Sequence, residues 1–510
     1  MGGKTKILMV YPKSPENTFW SYKYTLRLTG KKALMPPLGL MTVAAMLPER
    51  YSVKLVDLNI TELKEDDILS SDIVFISAMI IQRDSFSQVV GLCNQYEIPV
   101  VAGGPYPTAL HNSIEGVDYF VLNEAEVTLP RFIQDFEKNC AKKIYFDETK
   151  PDLKETPPPR FDLIDVNQYQ NMTLQFSRGC PFNCEFCDII EMFGRKIRSK
   201  LPSQFISEME CLYETGFRGP IFIVDDNFIG NKRTIRELLN AIIEWQKAHS
   251  YPFSLFTETS INLAEDEELL DLMKKAGFNS VFIGIESPDV DVLKTAQKNQ
   301  NVRRDMLDSV RKIQSKGLQV VGGFIVGLDG EPQNIFDLQI DFIEKAGIPI
   351  AMVGLLIVLP NTQLFRRLKS ENRILYESGG NNTFKLELNY IPRMPEKKLM
   401  EGYIKIVSEI YKPGNYFRRC LTLLKKLPKE NLRLKSLGFK KFIILLSMSL
   451  TKQSFSFYGL HYLLYLGKAL WYNPKNFIFA LQSAVRGDHF IRIRNDFLNE
   501  QSFPSEAKKR

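Results

Sequence analysis

Hydrophobic and polar positions alternate along this chain in two long rhythms, and then the rhythm stops. In the first 150 residues, short β-rich apolar runs lie at 7–11, 53–58, 73–77, 99–102 and 119–122, often bounded by turn formers. Between them, apolar residues recur at helical spacing over 38–47, 85–96, 108–114 and 128–138. Strands alternating with helices predict a parallel, doubly wound sheet, because parallel neighbours need a crossover connection. Such sheets take ligands beyond the carboxyl ends of their strands. The residues there include Asp57, Asn59, Ser77, Gly103, Gly104 and Pro105.

A proline-rich stretch follows. Pro151 and the run Pro157, Pro158 and Pro159 can continue neither a helix nor a central strand. A second alternation then begins. Strand patterns at 173–176, 221–224, 254–257, 280–285, 319–326 and 352–358 are followed in turn by helical patterns at 204–215, 232–249, 266–275, 303–316, 334–346 and 363–370. Six βα units in a row predict a (β/α)6 barrel or an incomplete barrel, with its chemistry at the C-terminal strand ends. Those ends carry Cys180, Asp225, Asp226, Glu258 and Glu286. Beyond about residue 373 the pattern is helical only. The expected α/β organisation is a Rossmann-like domain over 1–145, a linker over 146–170, a partial TIM barrel over 171–372 and a basic helical extension over 373–510.

Composition fits a folded globular protein, with 44% hydrophobic and 25% charged residues in 510. Seven cysteines are too few for a disulfide scaffold. The start leads straight into a strand pattern rather than a signal peptide, so a cytoplasmic, thiol-reducing compartment is expected. Charge changes the picture more. Residues 411–510 hold 19 Lys and Arg against 5 Asp and Glu, a net of +14, which leaves −7 on the first 410 residues. The end of the chain is a basic block on a mildly acidic body. Its longest apolar run, 442–450, is far shorter than the roughly 20 residues that span a bilayer.

Cys93, Cys140, Cys211 and Cys420 have no Cys or His partner at ligand spacing and read as small core residues. Cys180, Cys184 and Cys187 form a CxxxCxxC run just after the first barrel strand. Three thiolates so close suit a soft metal. Zinc would usually require a fourth Cys or His, and none lies near in sequence. A [4Fe–4S] cluster usually takes four cysteines, so three leave one iron open to a substrate or cofactor.

This run, with Phe186 before its last cysteine, resembles the signature of the radical S-adenosylmethionine (SAM) enzymes. The resemblance implies that the open iron chelates SAM, and that an electron from the reduced cluster cleaves it to methionine and a 5′-deoxyadenosyl radical. It also implies SAM contacts at other strand ends. Asp225 and Asp226 stand where the family meets the SAM amino group, and a helix cap is the other reading of this pair. Glu286, or else Glu258 from the preceding strand, would take the ribose hydroxyls. Gly323 belongs to the fifth-strand region over which the adenine lies, and a plain turn explains glycine there too.

The runs Met35 to Leu40 and Ala102 to Thr108 resemble the cobalamin-binding branch of that family. On this resemblance Asp57, Asn59, Ser77, Gly103, Gly104 and Pro105 would border cobalamin, although an ordinary Rossmann-like turn equally explains the two glycines. Two departures stand out. There is no DxHxxG to supply a histidine to cobalt, and none of His111, His249, His461 and His489 sits in such a context. Asn123-Glu-Ala-Glu126 replaces the branch's GEGE, so its glycines are gone. Runs at 187–195, 224–233 and 276–288 are similar to a subfamily that includes the hopanoid C-2 methylases.

The activity implied is a cobalamin-dependent radical SAM C-methyltransferase acting on an unactivated carbon of a lipid-like or other hydrophobic substrate. Its electron donor would be of flavodoxin or ferredoxin type. Two other functions stay open: cyclisation, rearrangement or oxidation by the same radical without methyl transfer, and a non-catalytic iron–sulfur or cobalamin sensor. In the tail, aromatics from Phe455 to Phe479 interleave with Lys452, Lys468 and Lys475. A helical cap packed on the barrel is one reading. Peripheral contact with the inner face of a membrane is another. Nucleic acid is a third, supported by charge alone.

Overall fold

A computed structural model describes residues 4–428 and 439–502 of the chain. Six parallel strands form the first sheet: β1 (Lys6–Tyr11), β2 (Ser52–Asp57), β3 (Ile73–Ser77), β4 (Val100–Gly103), β5 (Tyr119–Val121) and β6 (Ile144–Tyr145). Their order is β2-β1-β3-β4-β5-β6. The order reverses at β1, which places the ligand crevice of a doubly wound sheet between β1 and β3. Alternation along each strand feeds two cores. Val10, Val74 and Ile76 pack with Phe86 and Val90 on one face. Met9 and Phe75 pack with Leu40 and Phe132 on the other.

The stretch between the sheets is pinned rather than loose. Short 3-10 turns at Leu153–Glu155, Phe161–Leu163 and Val166–Gln168 each bury an apolar anchor, and Tyr169 is buried just beyond them.

The second sheet holds β7 (Met172–Leu174), β10 (Pro220–Ile223), β11 (Ser254–Thr259), β12 (Phe278–Glu286), β13 (Gln319–Val326) and β14 (Ala351–Leu355), all parallel and in the order β14-β13-β12-β11-β10-β7. β8 (Ser177–Arg178) and β9 (Arg198–Ser199) pair as a small antiparallel hairpin, with the cysteine run in the loop between them. The ladder from β7 to β14 does not close, so the barrel is partial. On β11, Leu255, Thr257 and Thr259 are buried, while Phe256 and Glu258 on the other side stay half-buried. A closed barrel fills its interior with side chains; this one keeps open space there.

The tail folds as the helices Glu396–Ile410, Pro413–Lys426, Phe439–Gln453, Gly459–Tyr472 and Phe477–Ser502. Its tyrosines are partly core: Tyr458, Tyr462 and Tyr465 are buried, and Phe417 stacks on Tyr465 at 4.9 Å. The last helix returns to the start of the chain. Phe490 packs on Phe19 at 5.2 Å, His489 stacks on Tyr22 at 5.0 Å, and Asp496 pairs with Lys23 at 2.9 Å. The basic segments 429–438 and 503–510 lie outside the described residues. Among the described residues, no helix is long and apolar enough to cross a membrane. Cys93 and Cys420 are buried as expected of small core residues, but Cys140 is exposed, because it follows the end of the helix Ala125–Glu137.

Candidate active site

The cysteine loop is held by specific backbone geometry. Gly179 precedes Cys180 with φ of +98°, and a Cβ there would stand 2.9 Å from the Lys196 carbonyl, so only glycine fits. Cys180 N–H donates to the Gly194 carbonyl at 3.2 Å, and Cys187 N–H to the Cys184 carbonyl at 3.2 Å. Between them Glu185 accepts from Arg367 at 2.9 and 3.1 Å, which ties the loop to the helix Gln363–Ser370.

The acids after β10 serve this loop. Asp225 is 1% exposed. Its carboxylate accepts from Phe176 N–H at 2.7 Å, Ser177 N–H at 2.9 Å and the Ser177 hydroxyl at 2.6 Å. Asp225 is therefore committed to its own chain, a correction to its expected place beside an ammonium group. Asp226 accepts from Gly179 N–H at 2.7 Å. The cap on the helix Lys232–Ala248 is Asn231, so neither acid is a cap. Burial pushes Asp225 up to about 6 and Asp226 up to about 7.

Glu258 and Glu286 complete a group of carboxylates. Burial pushes Glu258 up to about 7, and Asp226 and Glu286 add to the effect. Glu286 ends β12 in a left-handed conformation, with φ of +63°, and pairs with Lys298 at 2.7 Å. Burial works against the Lys298 ammonium, but Glu286 and the sulfurs of Cys184 and Cys187 outweigh it and raise its pKa. Gly323 makes room for an aromatic wall: a Cβ there would stand 2.9 Å from the Phe282 ring.

These groups suit the expected cofactors. Gln300 directs an N–H at Cys184 Sγ at 3.4 Å, and Asn227 directs one at Cys180 Sγ at 4.0 Å. Such donors, with Lys298 nearby, favour electron-rich sulfur. Among the described residues no three His, Cys, Asp or Glu side chains converge as one ion would require. The carboxylates, with Lys298 as their near cation, suit a ligand that carries positive charge and hydroxyls.

At the first sheet, Asp57 accepts from Tyr169 OH at 3.0 Å and from Asn59 N–H at 2.9 Å and Nδ2 at 2.7 Å, so its oxygens are turned into the fold. Asn59 lies on a cavity with Pro105. Gly104 has φ of +88°, and a Cβ there would stand 2.5 Å from Ser77 Oγ; one at Gly103 would stand 2.9 Å from the Val121 carbonyl. The packing of three strand ends thus explains both glycines. None of the four histidines lines this cavity.

The cavity has a volume of 1310 Å³ and runs from these strand ends into the barrel lumen, where Thr173, Phe222, Glu258 and Met352 face it. That exceeds the roughly 300–1,000 Å³ typical of one ligand, leaving room for a cofactor and a substrate. Trp20 enters it from the segment after β1 and stacks on Phe222 at 6.3 Å. Sequence reasoning missed Trp20, because no local pattern says that this segment reaches the barrel. It also missed an ion network: Glu124 and Glu126 bind Arg178 at 2.7 and 2.8 Å, and Glu124 binds Arg198 at 2.8 Å. In that loop Asn123 takes the left-handed turn, with φ of +62°, where the family's pattern has glycine.

Fold and site together define a radical SAM enzyme carrying a corrinoid domain. The family models agree: the B12 binding domain matches residues 29–133, the radical SAM superfamily 174–343, and a domain of unknown function, DUF4070, 362–502. An uncharacterized methyltransferase of Synechocystis sp. is 40% identical over 96% of this chain and 92% of its own length. A hopanoid C-2 methylase of Rhodopseudomonas palustris is 33% identical over 81% of this chain and 78% of its own. The solved structure of OxsB, a cobalamin-dependent SAM radical enzyme with aqua-cobalamin and SAM bound, covers 98% of this chain and 81% of its own at a TM-score of 0.62 and 16% identity, a likeness of fold. The chain belongs to the cobalamin-dependent radical SAM methyltransferases, and its cofactors are a [4Fe–4S] cluster, SAM and cobalamin.

Proposed function

We propose that this enzyme transfers a methyl group to an unactivated carbon of a hydrophobic, lipid-like substrate. The observation that carries the reading is the 1310 Å³ cavity, whose wall of Trp20, Phe222 and Met352 runs between the first sheet and the barrel. When bound, the cluster and SAM supply a carbon-centred radical, and cobalamin supplies a methyl group. The chain's own residues bind, orient and exclude water. Cys180, Cys184 and Cys187 would hold the cluster. Asp226, Glu258 and Glu286 would meet the charged and hydroxyl groups of SAM, with Asp225 fixing the loop behind them. Asn59 and Pro105 would border the corrin, while Asp57, Ser77, Gly103 and Gly104 shape that border from behind. Gly323 would serve the lumen by admitting the Phe282 ring. Apolar walls would shield a reactive intermediate from water.

A one-electron carrier of the flavodoxin or ferredoxin class would supply electrons. A place at the cytoplasmic face of a membrane, reached through the tail, would bring the substrate within reach. Comparative lipid mass spectrometry of cells with and without the protein is the test. One lipid class should be heavier by one methylene, and Cys184→Ala should abolish the difference. A lipid that gains a ring without gaining carbon would turn the reading to cyclisation. Unchanged lipids from an enzyme that still forms 5′-deoxyadenosine would reject a lipid substrate.

A further inference from the structure

Part of the tail's aromatic stripe turns away from the core: Phe455, Phe457, Trp471 and Tyr472 are exposed. In the helix Gly459–Tyr472, Tyr462, Tyr465, Leu466 and Ala469 face inward and are buried. Leu460, Leu464 and Trp471 recur four and seven residues apart on the other face, and they are 54% to 84% exposed. This helix gives a core only one face, and its outer face is still largely apolar, broken by His461 and Lys468. The preceding helix, Phe439–Gln453, exposes Ile443, Ile444 and Leu450, and the connection between the two exposes Phe455 at 91% and Phe457. The two helices are joined where Ser449 and Tyr462 share a hydrogen bond of 2.8 Å. Isolated exposed apolar residues are ordinary, but a continuous group marks an interaction site.

Charge says what meets it. No Asp or Glu occurs from residue 431 to 487, while exposed Lys468 stands on the outer face between Leu464 and Trp471, and Lys452 and Lys475 are exposed before and after this helix. Lys425 lies 4.1 Å over the ring of Tyr472 at its edge. Cations around an apolar face complement an anionic lipid surface: rings and leucines enter the acyl boundary, and lysines reach the phosphates. A second copy of the chain fits poorly, because a two-fold contact sets the same patch against itself and brings these cations together.

We propose that the helices Phe439–Gln453 and Gly459–Tyr472 form a reversible docking surface for an anionic membrane, entered by Phe455, Leu460, Leu464 and Trp471. The purpose of this surface rests on the proposed lipid substrate; its physical basis does not. The test uses the full chain with vesicles of phosphatidylcholine alone and of phosphatidylcholine mixed equally with phosphatidylglycerol. Co-sedimentation should require the anionic lipid and weaken in about 1 M salt, where screening falls to about 3 Å. Trp245 is buried, Trp20 faces the cavity and Trp471 is 84% exposed, so brominated lipid should quench the native protein, and Trp471→Phe should lose most of that quenching. The double variant Phe455→Ser, Leu464→Ser should melt like the native protein, since both side chains are exposed, and lose about tenfold or more in binding.

Absence of binding to anionic vesicles overturns the proposal. So does a double variant that binds normally, or a concentration-dependent dimer that the double variant dissolves. Methyl transfer to a detergent-dispersed lipid extract separates the two readings, because detergent bypasses the surface. Vesicle binding without any lipid methylation would overturn the substrate and support the docking surface. Methylation in detergent without vesicle binding would overturn the docking surface alone.

Discussion

Removing the Glu124 carboxylate should loosen the joint between the first sheet and the cysteine loop. Glu124 follows β5, and its side chain is 2% exposed. It accepts from Arg178 Nη1 at 2.7 Å and from Arg198 Nη1 and Nη2 at 2.9 and 2.8 Å. Arg178 stands two residues before Cys180, and Arg198 lies on β9 across the hairpin. In Glu124→Ala, Arg178 keeps Glu126, at 2.8 and 3.1 Å. Arg198 keeps only the carbonyls of Pro151 and Phe193, at 2.9 and 3.2 Å. Stripping one partner from a buried ion pair costs about 3–5 kcal/mol. The surviving acceptors place the expected loss at the lower end, about 3 kcal/mol.

Equilibrium unfolding in urea measures that loss, and iron content after anaerobic reconstitution reads the effect on the loop. Glu124→Leu with Arg198→Met removes both charges and should recover most of the stability, since apolar replacement of a buried pair is often close to neutral. A single variant within about 1 kcal/mol of the native protein would refute the reasoning. So would a double variant no more stable than the single one. Acid should weaken the same joint. Burial opposes ionisation of Glu126, but Arg178 outweighs it and holds the carboxyl below its ordinary value of 4.5. A depressed folded-state pKa gives stability that is present above that value and lost as pH falls through the lower one.

Two further outcomes follow from the cavity. Trp20→Ala removes the indole between Phe222 and Phe282 and should cost about 2 kcal/mol in thermal or urea unfolding, below the range for a fully buried ring; it should raise KM more than it lowers kcat, Trp20→Phe should restore part of both, and an unchanged KM would remove Trp20 from the substrate wall. Glu258 is pushed by burial from 4.5 up to about 7, so its folded state keeps a proton longer than the unfolded chain. The stability it contributes is full below about 4.5 and is lost as pH rises through about 7. Glu258→Gln should therefore gain on the native cofactor-free protein, on the order of 2 kcal/mol, between those pH values. Parallel stability profiles for the two proteins would show that Glu258 is not held protonated by its surroundings.

What could be read from the chain was whatever repeats locally. Apolar periods of two and 3.6 residues carry both parallel sheets, and chemistry at strand ends falls at positions those periods define. That is why Cys180, Asp225, Asp226, Glu258 and Glu286 stood out. β6 escaped notice because two residues, Ile144 and Tyr145, are too few to show a period. The partners of Asp225 lie nearly fifty residues back in the chain, at Phe176 and Ser177, so nothing near Asp225 announced that its oxygens were taken. Gly103 and Gly104 were visible, but their cause, the Val121 carbonyl and Ser77 Oγ, depends on which strands become neighbours. The tail's aromatics looked like one stripe. Burial divides them, because residues three or four apart share a helix face: Tyr462 and Tyr465 turn inward, while Leu460 and Leu464 turn outward.

The tail also bears on the cavity, which gives its position a functional consequence. Trp20 is carried by a segment that the first domain ties at its start, through Lys13 N–H to the Ser85 hydroxyl and Ser14 N–H to Asn59 Oδ1, both at 2.9 Å, and that the tail holds further on. Phe19 beside it donates its N–H to the Thr383 hydroxyl at 3.0 Å and packs its ring on Phe490 of the last helix. Tyr22 rests on His489 of that helix, and Tyr24 OH donates to Asp496 at 2.7 Å. That helix is in turn fixed by Tyr416, whose OH donates to the Ser483 carbonyl at 2.7 Å, and by Tyr465, whose OH donates to the Ala480 carbonyl at 3.1 Å. Tyr465 belongs to the helix whose outer face carries Leu460, Leu464 and Trp471. A continuous packed path thus connects the proposed membrane face with the aromatic wall of the barrel lumen. Packed interiors resist continuous deformation, so a membrane that fixes the outer face of that helix also fixes the orientation of the cavity relative to the lipid.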